Sequence, residues 1–388
     1  MKKIILFFTM CLVAFPAKAD EGMWFLMFIE RLNHRDMEKM GLQLTAEEIY
    51  SINNHSLKDA VVQFNGGCTA EMVSKEGLVL TNHHCGYDAI AELSSEEQNY
   101  LKNGFWAKDK SAEMKPKSLF VRFFVRMDDV SKRILSKVND KMTETERNKA
   151  IQQEMAVIEK ENSEGGKYTV SVRPFFQGNE YYYFVYQDYK DVRLVGTPPE
   201  SLGKFGGDID NWEWPRHTGD FSVFRVYATK EGKPADYSTD NVPLKPKHFL
   251  PVSIKGFKDG DYAMTYGYPG STNRYETSYG IKLKNDIENP VLVGLRDMRL
   301  KYMHEQMVND PAVKLKLASN YATVANYWKF FEGETKQLIK FNTQQQKEEY
   351  EAKFTSWAKG KPEYENIMTD YAKNYAGWTP YSKLRQYI

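Results

Sequence analysis

From about residue 60 to 275, apolar and polar positions alternate with a period near two, the spacing that puts every second side chain on one face of a sheet. The runs "AVVQFNGGCTAEMVS" and "GLVLTNHHC" are β-rich, and Lys75-Glu76-Gly77 between them is a hairpin signal. Further strands are predicted at "SLFVRFFVRMD", "YTVSVRPFF", "YYYFVYQDY", "DVRLVG", "FSVFRVYAT" and "DYAMTYGYPG". The period turns helical in one insert. There Thr143-Glu144-Thr145-Glu146 forms a capping box ahead of Ile151, Met155 and Ile158 on one face, and Gly165-Gly166 ends the run. Residues 20–60 also read as mainly helical, with Thr45 an N-cap candidate before "AEEIYSI". Beyond about 280 strand signals vanish, and "NPVLVGLRDMRLKYMHEQM", "NYATVANYWKFFEGETKQLIKF" and "QQQKEEYEAKFTSWAKG" are helical. The pattern predicts a mainly β fold with an α insertion, a barrel or sandwich, followed by helices.

The first residues have a different logic. "MKK" is a short basic segment, "IILFFTMCLVAF" an apolar run of twelve residues, and Ala17-Lys18-Ala19 a small-x-small cleavage sequence. A membrane-spanning helix needs about 20 apolar residues, so this reads as a signal peptide, 1–19, cleaved after Ala19. Lipidation at Cys11 is disfavoured by the large Met10 before it. No later stretch is apolar enough to span, so the chain is expected to be exported, periplasmic or secreted. A net charge of +1 with interspersed signs offers no field for nucleic acid. The 25 Tyr, 22 Phe and 7 Trp suit an aromatic-lined cleft in a β-rich core. Of three cysteines, Cys11 leaves with the signal, and export makes a Cys68–Cys85 disulfide the default reading of the remaining pair.

Chemistry concentrates in "LVLTNHHC" at 78–85. If the strand continues, His83 and His84 point to opposite faces and cannot share one metal ion without a bend. No CxxC or HExxH spacing supports zinc elsewhere. A metallohydrolase using His83, His84 and His217 is therefore the weakest of three readings. Nucleophilic catalysis instead needs an imidazole base held rigidly and oriented by a carboxylate. His84 beside a clamped Cys85 meets the first requirement. In "GKFGGDIDNWEWPRHTGDFSVFRVYAT" the candidates for the carboxylate are Asp208, Asp210 and Asp220. Asp220 is preferred because it immediately precedes an alternating strand, whereas the other two sit in a Gly-rich turn. His217 reads as a loop histidine.

"GGCTAEMVSKEGLVLTNHHC" resembles the chymotrypsin-like proteases, in which the bridged cysteines flank the catalytic histidine. More specifically, "NGGCTAEMVSKEGLVLTNHHCGYDAI", "NGFWA", "DVRLVGTPP", "GKFGGDIDNWEWPRHTGDFSVFRVYA", "NVPLKPK" and "DYAMTYGYPGSTNRY" together resemble the bacterial dipeptidyl-peptidase 7 and 11 family of serine exopeptidases. The resemblance implies a chymotrypsin-like double β-barrel interrupted by a helical domain that covers the cleft. It also implies peptide substrates with a free N-terminus, release of dipeptides by acyl transfer, no cofactor, and a possible homodimer. His84 becomes the base and Asp220 its orienting acid. Asn211 and Trp212 match residues that hold the substrate's N-terminal amine, a task suited to a fixed amide oxygen and an aromatic wall.

The serine is the missing part. No Gly-x-Ser-Gly occurs, and Ser271 in "GYPGST" follows a Pro-Gly turn without the trailing glycine. In the family the serine lies after the helical domain. The expected organisation is a catalytic domain over 20–278, comprising the first barrel and the start of the second, and a truncated helical cap over 279–388. The chain is then the N-terminal part of a serine dipeptidyl aminopeptidase, inactive alone. The rival reading is a non-catalytic secreted peptide-binding fragment or pseudo-enzyme.

Overall fold

In the computed structural model, the described residues are 24–207, 211–212 and 217–388. The predicted signal peptide lies outside them, as do Asp208 and Asp210. Among the described residues ten strands form one sheet: β1 Val61–Phe64, β2 Cys68–Met72, β3 Leu78–Thr81, β4 Phe105–Trp106, β5 Val121–Asp129, β6 Thr169–Phe175, β7 Glu180–Tyr189, β8 Val192–Thr197, β9 Ser222–Ala228 and β10 Val242–Pro243. The order is β4-β8-β9-β3-β2-β1-β5-β7-β6, with β10 on β9, and every pair is antiparallel. The mainly antiparallel β character read from the alternation is thus the architecture found.

The sheet forms where alternation gives each strand a buried row. Val62, Phe64, Ala70, Met72, Val79 and Phe224 belong to one apolar cluster. Each large side chain of this kind contributes roughly 1.5–3 kcal/mol when withdrawn from water. The β2–β3 hairpin turns at Gly77, whose φ of +70° a side chain would strain and whose Cα faces the Val226 carbonyl. β3 then pairs with β9 in the register Leu78↔Arg225 to Thr81↔Ser222. That register decides the site, because residues just after Thr81 must lie opposite residues just before Ser222.

The sequence pattern misread two stretches. "DYAMTYGYPG" forms no strand among the described residues. Its tyrosines still point inward: Tyr262 and Tyr266 pack on Ile29, Leu42 and Ile49, and the Tyr268 amide donates to the Thr69 hydroxyl at 2.8 Å. A strand needs a partner's ladder as well as alternation, and these residues have none among those described. The second stretch is the His-His-Cys run, which is the start of a helix. β3 stops at Thr81, Asn82 occupies the N-cap, and helix α1 runs His83–Leu93 with Tyr87, Ala89 and Ile90 buried. The argument from opposite strand faces therefore gives way to the helical 100° between neighbours, which separates the two rings just as well.

Helix α2, Glu144–Asn162, carries the predicted capping box, and its Ile151 and Ile158 are buried against Ile134, Val172 and Tyr181. The short α3, Glu200–Gly203, follows β8. From Ser278 on the chain is helical: α4 Ser278–Leu283, a π turn Lys284–Glu288, α5 Asn289–Asn309, α6 Pro311–Lys340, α7 Thr343–Ala358 and α8 Ile367–Tyr387. Asp310 caps α6 by accepting from the amides of Ala312 and Val313, with Pro311 in the first turn. Leu315, Ala318 and Ala322 of α6 then pack on the sheet's main core. The same face, continued at helical spacing, carries Asn326 and Phe330.

Candidate active site

The β3–β9 register brings Asp220 to the N-terminus of α1. One carboxylate there makes two bonds: Oδ1 accepts the His84 backbone N–H at 3.0 Å, and Oδ2 lies 2.8 Å from His84 Nδ1. Asn82 makes no side-chain cap of its own helix. Asp220 supplies that cap from 136 residues away and meets the positive end of the helix dipole. Asn82 instead donates to the Asp220 carbonyl at 3.2 Å, while Ser222 Oγ donates to the Asn82 carbonyl at 2.9 Å. The turn is closed from both sides.

The two histidines have opposite environments. The His84 side chain is 59% exposed and that of Asp220 20%. His83 is 0% exposed, and its Nδ1 lies 3.0 Å from Thr197 Oγ1. Burial tends to raise the Asp220 pKa, but hydrogen bonds from the His84 ring and backbone outweigh it and hold the carboxyl below its ordinary range. Burial pushes the His83 imidazole down.

Cys68 of β2 and Cys85 in the first turn of α1 are bridged. This agrees with the pairing expected from the sequence. The bridge anchors the helix start to the sheet one residue beyond His84. Cys68, His84 and Cys85 are the only three possible metal donors that converge among the described residues, and both sulfurs are spent in the disulfide. His217 is exposed and outside that group.

Asn211 and Trp212 follow α3 in the segment leading to Asp220. Asn211 is buried, and its Nδ2 donates to Asn326 Oδ1 at 2.8 Å. Trp212 is 60% exposed, donates from Nε1 to Asn326 Oδ1 at 3.0 Å, and meets the Phe330 ring edge-on at 5.3 Å. Its φ of +66° lies in the left-handed region, which an indole-bearing residue occupies at a cost of about 1–3 kcal/mol. Asn326 was not anticipated from the sequence. Its signal was an asparagine on the apolar stripe of "NYATVANYWKFF", one turn before an aromatic residue.

The described residues thus hold a histidine–carboxylate pair on a bridged turn and, in the segment leading to its carboxylate, an Asn–Trp pair tied to Asn326. The chain belongs to the peptidase S46 family, whose model matches residues 19–388. It is 61% identical over 358 residues to a dipeptidyl-peptidase 7 of Capnocytophaga gingivalis, covering 92% of this chain and 50% of that protein. It is 46% identical over 364 residues to an Asp/Glu-specific dipeptidyl-peptidase of the same organism, covering 93% of this chain and 51% of that one. The crystal structure of Porphyromonas endodontalis DPP11 in complex with the dipeptide Arg-Glu superposes with a TM-score of 0.86 at 36% identity, over 95% of this chain and 54% of that one. The chain spans about half the length of the curated relatives it matches. Among the described residues no helix is long and apolar enough to cross a membrane.

Proposed function

We propose that this chain supplies the base-bearing part of an exported serine dipeptidyl aminopeptidase, which releases dipeptides from the free N-terminus of peptides. The observation that carries this reading is the doubly bonded Asp220. By accepting from the His84 amide it is locked in place, and by accepting from Nδ1–H it leaves Nε2 of His84 as the basic nitrogen. His84 then takes the proton of a serine as that serine attacks the peptide carbonyl, and returns it to the leaving amine. Asp220 steadies the transient imidazolium without itself taking the proton.

In the same proposal the serine lies in a part of the protein that follows Ile388, as the twofold length of the relatives suggests. Residues 20–278 are the first barrel and the start of the second of a chymotrypsin-like pair, and 279–388 begin a helical cap. Asn211 and Trp212 hold the substrate ammonium, the Asn211 amide oxygen accepting its protons and the indole face adding cation–π attraction of about 0.5–2 kcal/mol, while Asn326 Oδ1 fixes both side chains by accepting from them. Such a pocket limits cleavage to the second bond, because an internal peptide segment has no ammonium to offer.

The test is product analysis by mass spectrometry with the full-length protein. Peptides with a free amine should yield dipeptides, and the same peptides N-acetylated should not. His84→Ala should abolish release. A full-length protein that binds peptides but cleaves none would replace this reading with a non-catalytic peptide-binding protein.

A further inference from the structure

His84 has a neighbour that touches neither Asp220's carboxylate nor the Trp–Asn wall, yet both depend on the element it supports. The His83 ring is enclosed on all sides. Thr197 at the end of β8 bonds its Nδ1, Tyr87 of α1 meets it edge-on at 5.7 Å, and α3 packs on its face. The approach of α3 is so close that a methyl group on Gly203 would lie 2.6 Å from His83 Cγ and 2.7 Å from Nδ1. From α3 the Leu202 carbonyl accepts the Gly219 N–H at 2.9 Å, and Gly219 directly precedes Asp220. The segment that carries Asn211 and Trp212 thus leaves from α3 and returns to it one residue before the orienting acid. Gly203, where the segment leaves, lies on the His83 ring, and Gly219, where it returns, is tied to the neighbouring Leu202 of α3.

We infer that His83 is a positioning residue: its neutral imidazole sets α3, and through α3 both Asp220 and the Asn211–Trp212 segment, against the base. This rests on the proposed peptidase reading and adds to it the device that keeps base and amine pocket in one frame. A displacement near 1 Å at such a site can cost on the order of a hundredfold in rate, so a rigid floor common to both halves has a kinetic value. The Thr197 hydroxyl donates to the Pro198 carbonyl at 3.3 Å, which leaves it accepting from His83 Nδ1–H. Nε2 is buried with no hydrogen-bond partner among the described residues. A second proton there would have no acceptor, so the pocket holds only the neutral ring cheaply. The charged groups that face it are Asp220 and Glu200, which favour a proton, and His84 and Lys204, which oppose one; burial outweighs the favourable pair. Glu200 is itself engaged by the Tyr87 hydroxyl at 2.5 Å.

The experiment measures kcat and KM of the full-length peptidase on a chromogenic dipeptidyl anilide across pH. The variants are His83→Asn and Gly203→Ala, with His84→Ala as reference. Asn keeps a donor toward Thr197 but cannot be protonated and does not fill the space of the ring. Ala at 203 leaves His83 chemically intact and presses on it. Both should fold, lower kcat about tenfold or more and raise KM severalfold together, whereas His84→Ala removes kcat. In the wild type, the acid limb of kcat/KM should steepen beyond one proton, and in His83→Asn it should return to one. Should His83→Asn fail to fold, Gly203→Ala carries the kcat–KM test by itself. Kinetics within twofold of wild type in the folded variants, with His84→Ala dead, would overturn the positioning role and leave the peptidase reading standing. Activity that survives His84→Ala would remove the peptidase reading and this one with it.

Discussion

At the scale of single residues, Asp220 does with one carboxylate what usually takes two groups. It caps α1 through the His84 amide and fixes the ring of the same residue, so position and tautomer are set by one side chain. Asp220→Asn removes both acceptor roles in part, because an amide nitrogen facing Nδ1 turns the imidazole to the wrong tautomer. The expected outcome in the full-length protein is a fall in kcat on the order of 10⁴ with little change in KM, measured by steady-state kinetics. The same pair carries a pH signature in stability. With a folded-state pKa below the ordinary 3.8, ionised Asp220 stabilises the native state above that pH, and the contribution fades as pH falls through the lower folded value. His83, held neutral, adds a loss that begins higher, as pH falls below the ordinary histidine value of 6.5, because only the unfolded chain then takes up the proton freely. Thermal unfolding of His83→Asn between pH 7 and 5 should be flatter than that of the wild type. Parallel slopes would contradict a buried neutral ring.

At the scale of elements, α6 joins core and site on one stripe. Leu315, Ala318 and Ala322 bury against the sheet, and the next positions of the same face, Asn326 and Phe330, meet Asn211 and Trp212. Helical geometry alone makes packing at one end of the stripe set the register at the other. Asn326→Leu keeps the helix and its apolar neighbours but removes the one side-chain oxygen that accepts from both Asn211 and Trp212. In the full-length protein KM for free-amine substrates should rise at least tenfold, with kcat changed less, since the proposed role of this Trp–Asn wall is to bind the amine rather than to react. An unchanged KM would place the ammonium elsewhere. The His-His-Cys run teaches a different lesson about elements. The four residues before its N-cap have strand character, and the helix start is held by tertiary partners, with Asp220 as external cap and the disulfide holding its first turn.

At the scale of the whole molecule, the Cys68–Cys85 bridge ties β2 to α1 across the hairpin that carries the proposed base. With 17 residues of separation the cross-link is worth about 3 kcal/mol in the chain-entropy account. A Cys68→Ser/Cys85→Ser double variant should lose stability on that order in urea denaturation. It should lose more activity than stability alone explains, since the residue beside His84 is freed. Equal activity after correcting for the folded fraction would show that the bridge serves stability only.

Much of this was legible in the residues taken in order. Alternation placed β1, β2, β3, β5, β6, β7, β8 and β9, the capping box placed α2, and the paired cysteines, His84 and the choice of Asp220 over its neighbours were read from local context. These features are local: a period, a cap or a spacing is complete within a few residues. The misjudged features all depend on a distant partner. Strand character in "DYAMTYGYPG" found no ladder among the described residues, "HHC" became helix because residue 220 caps it, and Asn326 gained meaning only when α6 lay across Trp212. Burial of His83 beneath Gly203 belongs to the same class, since nothing within ten residues of it foretells the contact. Sequence by itself determined which side chains carry chemistry, because chemical type is a property of the residue. Tertiary structure alone decided which of two adjacent histidines faces solvent and which is sealed beneath α3, because that depends on β8 and α3, whose Thr197 and Gly203 lie 114 or more residues along the chain.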